Sequence, residues 1–240
     1  MNKTRIEWCD ASLNPIKGLC PMDCKDNQGN SYCYARRMYQ RFHWNYEIRL
    51  DDSVLYGLPK EPMRIFVGST MELFGNWVKM DWFSYIAQSL VLQPQHTYIF
   101  LTKRPQVLGA YYPYIKEFWV GASATNQIQY LEAIKGLAWA DAKIKFISFE
   151  PLLNNCYVSA MDLQRANIRQ VIIGQQTPSS AITFPDILWV KNIVDEADKA
   201  GCAVFIKNNM KDLMFTEGIK YKALDWALDN QGRLRQEFPK

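Results

Sequence analysis

The chain has 240 residues, 48% of them hydrophobic and 22% charged, with a formal net charge of +4. That length and balance suit a folded domain with a sizeable core and exclude a disordered chain; the mild positive charge permits an anionic partner without demanding one. No apolar run is long enough to span a bilayer, and the opening MNKTRIEWCDASLNP lacks the apolar core of a signal peptide, so a cytoplasmic protein with no membrane partner is expected.

In chain order, a first strand is expected near Ser12–Ile16, followed by a cysteine-rich loop. The stretch from residue 42 to 63 is rich in charge and proline and reads as an excursion. RIFVG (Arg64–Gly68) is a short apolar strand. Asp81–Leu92 follows as a helix, with Trp82, Phe83, Ile86 and Leu90 at three- and four-residue steps. YIFL (Tyr98–Leu101) is a strand, and Gln106–Tyr114 a short helix behind Pro105. FWVG (Phe118–Gly121), a helix over Asn126–Lys135, KFISF (Lys145–Phe149) and QVIIG (Gln170–Gly174) come next. Pro185–Ala200 is a helix that Gly201 ends, and AVFI (Ala203–Ile206) is the last clear strand. Residues 210–240 form a C-terminal extension, weakly helical around Lys222–Leu228. Short strands, apolar on both faces and separated by helices, imply a parallel sheet covered by helices. Six or seven such units suggest an α/β fold of one domain over residues 1–240, a partial (β/α)6-7 TIM-like barrel.

Cys20, Cys24 and Cys33 lie in GLCPMDCKDNQGNSYCYARRMY with spacings C-x3-C and C-x8-C. A structural zinc site usually takes four protein ligands, whereas three clustered thiols with one position open suit an iron–sulfur cluster. Asp26, Asn27, Gly29 and Asn30 are turn formers, so Lys25–Ser31 reads as a loop excursion that leaves a short cysteine pattern behind. Zinc, or neighbouring thiols with no ligand, stay open as alternatives.

The expected strand ends are polar. They carry Ser69, Thr70 and Glu72; Thr102, Lys103 and Arg104; Ser123, Thr125 and Asn126; Glu150; Gln175, Gln176 and Thr177; and Lys207, Asn208 and Asn209. In parallel α/β folds chemistry collects at those ends. Each residue singly suits a cap or turn, but six polar ends beside a cysteine triplet imply a converging site.

The motifs IEWCDASLNPIKG, CYARRM, FVGSTMELFG, LTKRP, WVGASATN, SFEPLL, VIIGQQTP and VFIKNN, in this order, resemble a phage- and bacteria-associated family of unknown function. Its marks are an IEW-x-D opening and a three-cysteine CYA motif, and it is similar to radical S-adenosyl-L-methionine (AdoMet, SAM) enzymes. The resemblance implies a [4Fe–4S] cluster on Cys20, Cys24 and Cys33, and AdoMet as the second cofactor. By position it implies cofactor contacts from Gly68, Ser69, Thr70, Glu72, Ser123, Asn126, Glu150, Gly174, Gln175 and Lys207, with Glu150, Lys103 and Tyr34 as catalytic residues. It further implies reductive cleavage of AdoMet to a 5′-deoxyadenosyl radical that takes hydrogen from an unknown substrate. The electron would come from a donor such as flavodoxin or ferredoxin. The chain departs from the pattern in its long second cysteine gap, in lacking Gly-Gly-Glu after the second strand, and in Gln175-Gln176-Thr177 where relatives have Gly-Glu-Ser. Those departures support an alternative, a barrel that binds metal or nucleic acid without catalysis; a zinc-stabilised interaction protein is a third reading.

Cys9, Cys156 and Cys202 stand apart from the triplet, and Cys202 is expected in the core. His43 and His96 are expected to be structural. Trp8, Tyr32, Tyr34, Phe42 and Trp44 flank Arg36, Arg37, Arg41 and Arg49. That interleaving suits single-stranded nucleic acid, but it is also what an amphipathic helix with a basic solvent face looks like, and the helix is the reading taken for the set, Arg36 included.

Overall fold

The computed structural model describes residues 2–178, 183–214 and 224–239. The chain divides into two compact units, residues 1–120 with 141–143 and residues 121–140 with 144–240.

In the first unit β1 (Asn2–Lys3) runs antiparallel to β2 (Ala11–Leu13), which pairs in parallel with β5 (Arg64–Val67), and β5 pairs in parallel with β6 (Thr97–Thr102). These strands are short because the sequence allows it: Ile65, Phe66, Val67, Tyr98, Ile99 and Phe100 are consecutive buried residues that fit a sheet covered on both faces. Between β5 and β6 comes α2 (Met80–Val91), which buries Phe83, Ile86, Ala87 and Leu90 along one stripe. Phe83 packs against Phe74 (ring centroids 5.2 Å apart) and Phe100 (5.8 Å), and Phe100 against Phe118 (5.1 Å). Each such ring contributes about 1.5–3 kcal/mol on burial. After β6 the chain makes a 3-10 turn over Pro105–Tyr111 and then α3 (Tyr112–Ile115), so the single helix expected over Gln106–Tyr114 is mostly 3-10.

The excursion expected over residues 42–63 is partly built into this unit. A short β3 (Ile16–Lys17) pairs antiparallel with β4 (Arg49–Leu50), and Leu55 is buried. The strand expected at Ser12–Ile16 is thus two pieces, β2 and β3, split at Asn14-Pro15. Between them and β4 lies α1 (Tyr34–Phe42).

In the second unit β8 (Ile144–Phe149), β9 (Ile168–Ile173) and β10 (Ala203–Ile206) pair in parallel. β7 (Trp119–Ser123) contributes its last three residues to this unit. Helices α4 (Gln127–Trp139), α5 (Ala160–Arg165) and α6 (Ile187–Ala200) alternate with the strands. The side chain of Asp186 caps α6 by accepting the Leu188 N–H, and Gly201 ends it in the left-handed conformation that glycine adopts freely. The C-terminal extension runs along β10: Ile206 N–H donates to Arg235 O (2.7 Å), and Glu237 N–H to Val204 O (3.0 Å). Arg235 holds it there through Asp198 and Glu237. Of the helical tendency expected around Lys222–Leu228, residues 222–223 lie outside the described ones and 225–227 form a turn.

The chain is therefore α/β with parallel strands, as expected from the sequence: among the described residues β2, β5 and β6 pair in parallel in the first unit, and β8, β9 and β10 in the second. Among the described residues no helix is long and apolar enough to cross a membrane.

Candidate functional site

In the first unit the ends of β2 and β5 are tied by Asn14. Its amide donates to Ser69 Oγ (3.1 Å), and its Oδ1 accepts from the Thr70 N–H (3.0 Å). Gly68 N–H donates to Leu13 O (2.8 Å), and Gly68 turns at φ 84°, where a Cβ would fall 2.6 Å from the Leu73 side chain. The turn delivers Glu72, whose carboxylate is almost wholly buried. It accepts the Thr102 hydroxyl (2.8 Å), the Phe74 N–H (3.1 Å) and the Lys103 N–H (2.7 Å). Burial pushes its pKa up, against those donors and the Lys103 charge. Both carboxylate oxygens of Glu72 thus serve the fold, and what Glu72 presents to the cysteines is its backbone N–H, 3.4 Å from Cys20 Sγ.

The long cysteine gap closes on itself. Lys25 and Ser31 form an antiparallel bridge, and Tyr32 N–H donates to Cys24 O (3.1 Å). Inside the turn, Asp26 Oδ1 accepts the N–H groups of Gln28 and Asn30. Cys24 and Cys33, nine positions apart, are thereby brought close enough to share a hydrogen bond. Cys33 caps α1 and accepts the Arg36 N–H (3.5 Å). The shared bond, with the helix N–H groups of Arg36 and Ala35, holds Cys33 down at about 6 despite its burial. The same bond pushes Cys24 up, and burial pushes Cys20 up. Cys33 is the readiest thiolate of the three.

Arg36 is not on a solvated face, contrary to the sequence reading. Its guanidinium donates to Cys20 O (3.2 Å) and Met22 O (3.4 Å), clamping the loop, and its buried Nε has no partner among the described residues. Lys103 sets its ammonium 5.7 Å from the centre of the Tyr32 ring. Tyr34, exposed, donates its hydroxyl to Ser69 O (2.6 Å). Tyr39 OH accepts the Gly18 N–H (2.8 Å), fixing the approach to Cys20. Gly18 turns at φ 112°, and a Cβ there would fall 2.5 Å from Glu47 O. The sequence reading gave no role to Asn14; its signal was the Asn-Pro step directly after a strand.

The donor set fits an iron–sulfur cluster: three soft sulfur ligands, with N–H groups aimed at Cys20 and Cys33 as such clusters require for tuning. Among the described residues no three His, Cys, Asp or Glu side chains stand in the arrangement that holds a single metal ion.

The second unit has a polar rim of its own. Register places Glu150, Gly174 and Lys207 one step beyond Phe149, Ile173 and Ile206. Glu150 and Lys207 pair across Gly174, where a Cβ would meet Lys207 Cδ at 2.9 Å and Glu150 at 3.3 Å. Gln175 donates its amide to Asn209 O, and Asn209 donates to Gln175 O (3.0 Å). Gln175 Oε1, Asn209 Oδ1 and Ser148 Oγ are buried without a partner among the described residues. Ser123 is buried, and Asn126 caps α4 by accepting the Gln129 N–H (3.1 Å). Cys156 and Cys202 are buried, donate to Asn154 O and Ile168 O, and are pushed up to about 12 and about 11 by burial. Cys9 is buried and donates to Ile6 O.

The chain belongs to the family described as protein of unknown function DUF5131, which matches residues 3–238. No curated protein and no solved structure matches it.

Proposed function

We propose that this family member is a radical AdoMet-like enzyme on a partial barrel, with Cys20, Cys24 and Cys33 as the ligands of a [4Fe–4S] cluster. The observation that carries the reading is one loop that holds Cys20, Cys24 and Cys33, with Cys24 and Cys33 sharing a hydrogen bond and backbone N–H groups of Glu72 and Arg36 directed at Cys20 and Cys33. When bound, the cluster and AdoMet supply reductive cleavage of the sulfonium to a 5′-deoxyadenosyl radical, using an electron from a donor of the flavodoxin or ferredoxin class. The chain's own residues orient and shield. The closed turn over residues 25–31 holds Cys24 beside Cys33, Arg36 fixes the carbonyls of Cys20 and Met22, and Asn14 fixes Ser69 and Thr70. Tyr32, directly before Cys33 and with Lys103 beside its ring, is the residue proposed to shield the cluster. Ser69, Thr70 and Glu72 are AdoMet contacts by the resemblance; the side chains of Ser69 and Glu72 already serve Asn14, Thr102, Phe74 and Lys103, so a contact from either exchanges an existing bond. Glu150, Gly174, Gln175, Lys207, Ser123 and Asn126 remain cofactor contacts by the resemblance alone.

The occupied side chains of Ser69 and Glu72 favour a second reading, a barrel that holds a cluster without AdoMet. Anaerobic reconstitution with iron and sulfide, followed by electron paramagnetic resonance with and without AdoMet, separates the two. The first reading expects a reduced [4Fe–4S] signal that AdoMet perturbs, lost in Cys20→Ala, Cys24→Ala and Cys33→Ala. A signal indifferent to AdoMet supports the second. Stoichiometric zinc with no cluster overturns both.

A further inference from the structure

The C-terminal end of α1 and the chain after it carry a surface that the cysteine chemistry does not use. Phe42 and Trp44 stack with ring centroids 5.5 Å apart and planes 22° apart. Tyr39 meets Trp44 edge-on at 5.2 Å, and Tyr46 lies 6.2 Å from Tyr39. His43 makes the ladder possible: it ends α1 in the left-handed conformation (φ 50°) and turns the chain back, so that Trp44 N–H donates to Tyr39 O (3.2 Å). These rings are not core. Phe42 is 51% exposed, Trp44 42% and Tyr46 50%. They are nevertheless anchored, because Tyr39 is buried and holds Gly18, and Leu19 N–H donates to Tyr46 O (3.0 Å).

The stretch that carries the rings is basic. Residues 34–50 contain Arg36, Arg37, Arg41 and Arg49 against Glu47 alone, and no lysine. Arg41 sets its guanidinium 5.4 Å from the centre of the Phe42 ring. Guanidinium groups match phosphate oxygens with two parallel N–H donors, and open aromatic faces take unpaired bases by stacking. An interfacial helix lays a continuous face of Trp, Phe or Leu into the membrane; apart from its rings α1 offers only Ala35, which is buried, and Met38. A duplex hides its base faces, so rings open at their surface serve a single strand.

We propose that the Phe42–Trp44–Tyr46 ladder with Arg37, Arg41 and Arg49 is a binding surface for single-stranded nucleic acid. Phosphates lie along the arginines, and one or two bases stack on the rings. Because Cys33 caps α1 and Tyr39 holds Gly18, the surface is tested on the full chain both with and without iron. Fluorescence anisotropy of a labelled oligothymidylate about twenty nucleotides long, against a duplex of equal length, gives the first reading. The single strand is expected to bind more tightly, with a logarithmic salt slope near −2 for about three phosphate contacts. Phe42→Ala with Trp44→Ala is expected to weaken binding by about tenfold or more with the melting temperature retained, while Trp44→Phe keeps most of it. Should the double variant melt early, Arg41→Gln supplies the decision, lowering the slope by about 0.7. Absence of binding at low salt, a preference for duplex, an unaltered affinity in both kinds of variant, or capture confined to vesicles containing phosphatidylserine would overturn the proposal.

Discussion

In the first unit Glu72 gives both carboxylate oxygens to Thr102, Phe74 and Lys103, whereas in the second unit Gln175 Oε1, Asn209 Oδ1 and Ser148 Oγ are buried with no partner among the described residues. At the first site the Glu72 carboxylate is fully engaged, Arg36 Nε is buried with no partner among the described residues, and three sulfurs are left for something else. The second unit keeps three buried acceptors without partners among the described residues and an ion pair, Glu150–Lys207, at its strand ends. Buried groups without partners are costly, so a fold that keeps several together gains when a donor-bearing ligand arrives. A fully bonded carboxylate fixes geometry in the first unit, and orphaned acceptors offer chemistry in the second.

The contrast is broken most severely at Glu72. Glu72→Ala strands three donors inside the protein and is expected to cost about 3–5 kcal/mol, read by urea unfolding. Glu72→Gln sharpens the point, because its amide would turn a donor toward the Thr102 hydroxyl or the Lys103 N–H. Burial raises the Glu72 pKa in the folded protein, so the fold takes up its proton more readily than the unfolded chain. Its contribution to stability is therefore fully present below the unfolded value of about 4.3 and falls as pH rises through the folded pKa. The stability difference between native protein and Glu72→Gln should shrink over that rise; a difference flat in pH would mean that the carboxylate stays ionised throughout.

A smaller effect is expected in the second unit. Lys207→Met leaves Glu150 with most of its side chain covered and no cation beside it, at about 2–3 kcal/mol. The double variant Lys207→Met with Glu150→Leu should recover much of that loss, because a removed pair is cheaper than a broken one. If the single variant costs nothing, Glu150 has another partner and the rim is less open than its orphan acceptors indicate.

The fold was readable where burial runs in long stretches. RIFV, YIFL, KFIS and QVII are apolar on both faces, and the structure makes strands of all four. α1 was visible only as a basic face. Its sequence YARRMYQRF buries just Ala35 and Tyr39, four residues apart, and its cap is a cysteine, which is no ordinary helix start. The candidate cluster cysteine and the helix cap are the same residue there, Cys33, so neither signal stood out alone. Arg36 was misread because a helix wheel shows which face a residue occupies but not that a loop of carbonyls folds over it. Asn14, Thr102 and Glu72 act across 30 to 56 positions of sequence, a distance that spacing rules do not reach.

The smallest expected effect tests the legible part of the site. Asp26 opens the turn over residues 26–30, and its Oδ1 holds two N–H groups of that turn. Asp26→Ala should cost about 0.5–1 kcal/mol in stability, since water can replace those bonds on an exposed turn. Its effect on the cysteines is indirect: a looser turn spends less time with Tyr32 N–H on Cys24 O, the bond that sets Cys24 against Cys33. Iron incorporation at limiting iron should therefore fall severalfold while the spectrum of the loaded protein stays unchanged. A changed spectrum with normal incorporation would mean that the turn shapes the bound state itself, and the excursion would then belong to the chemistry rather than to its assembly.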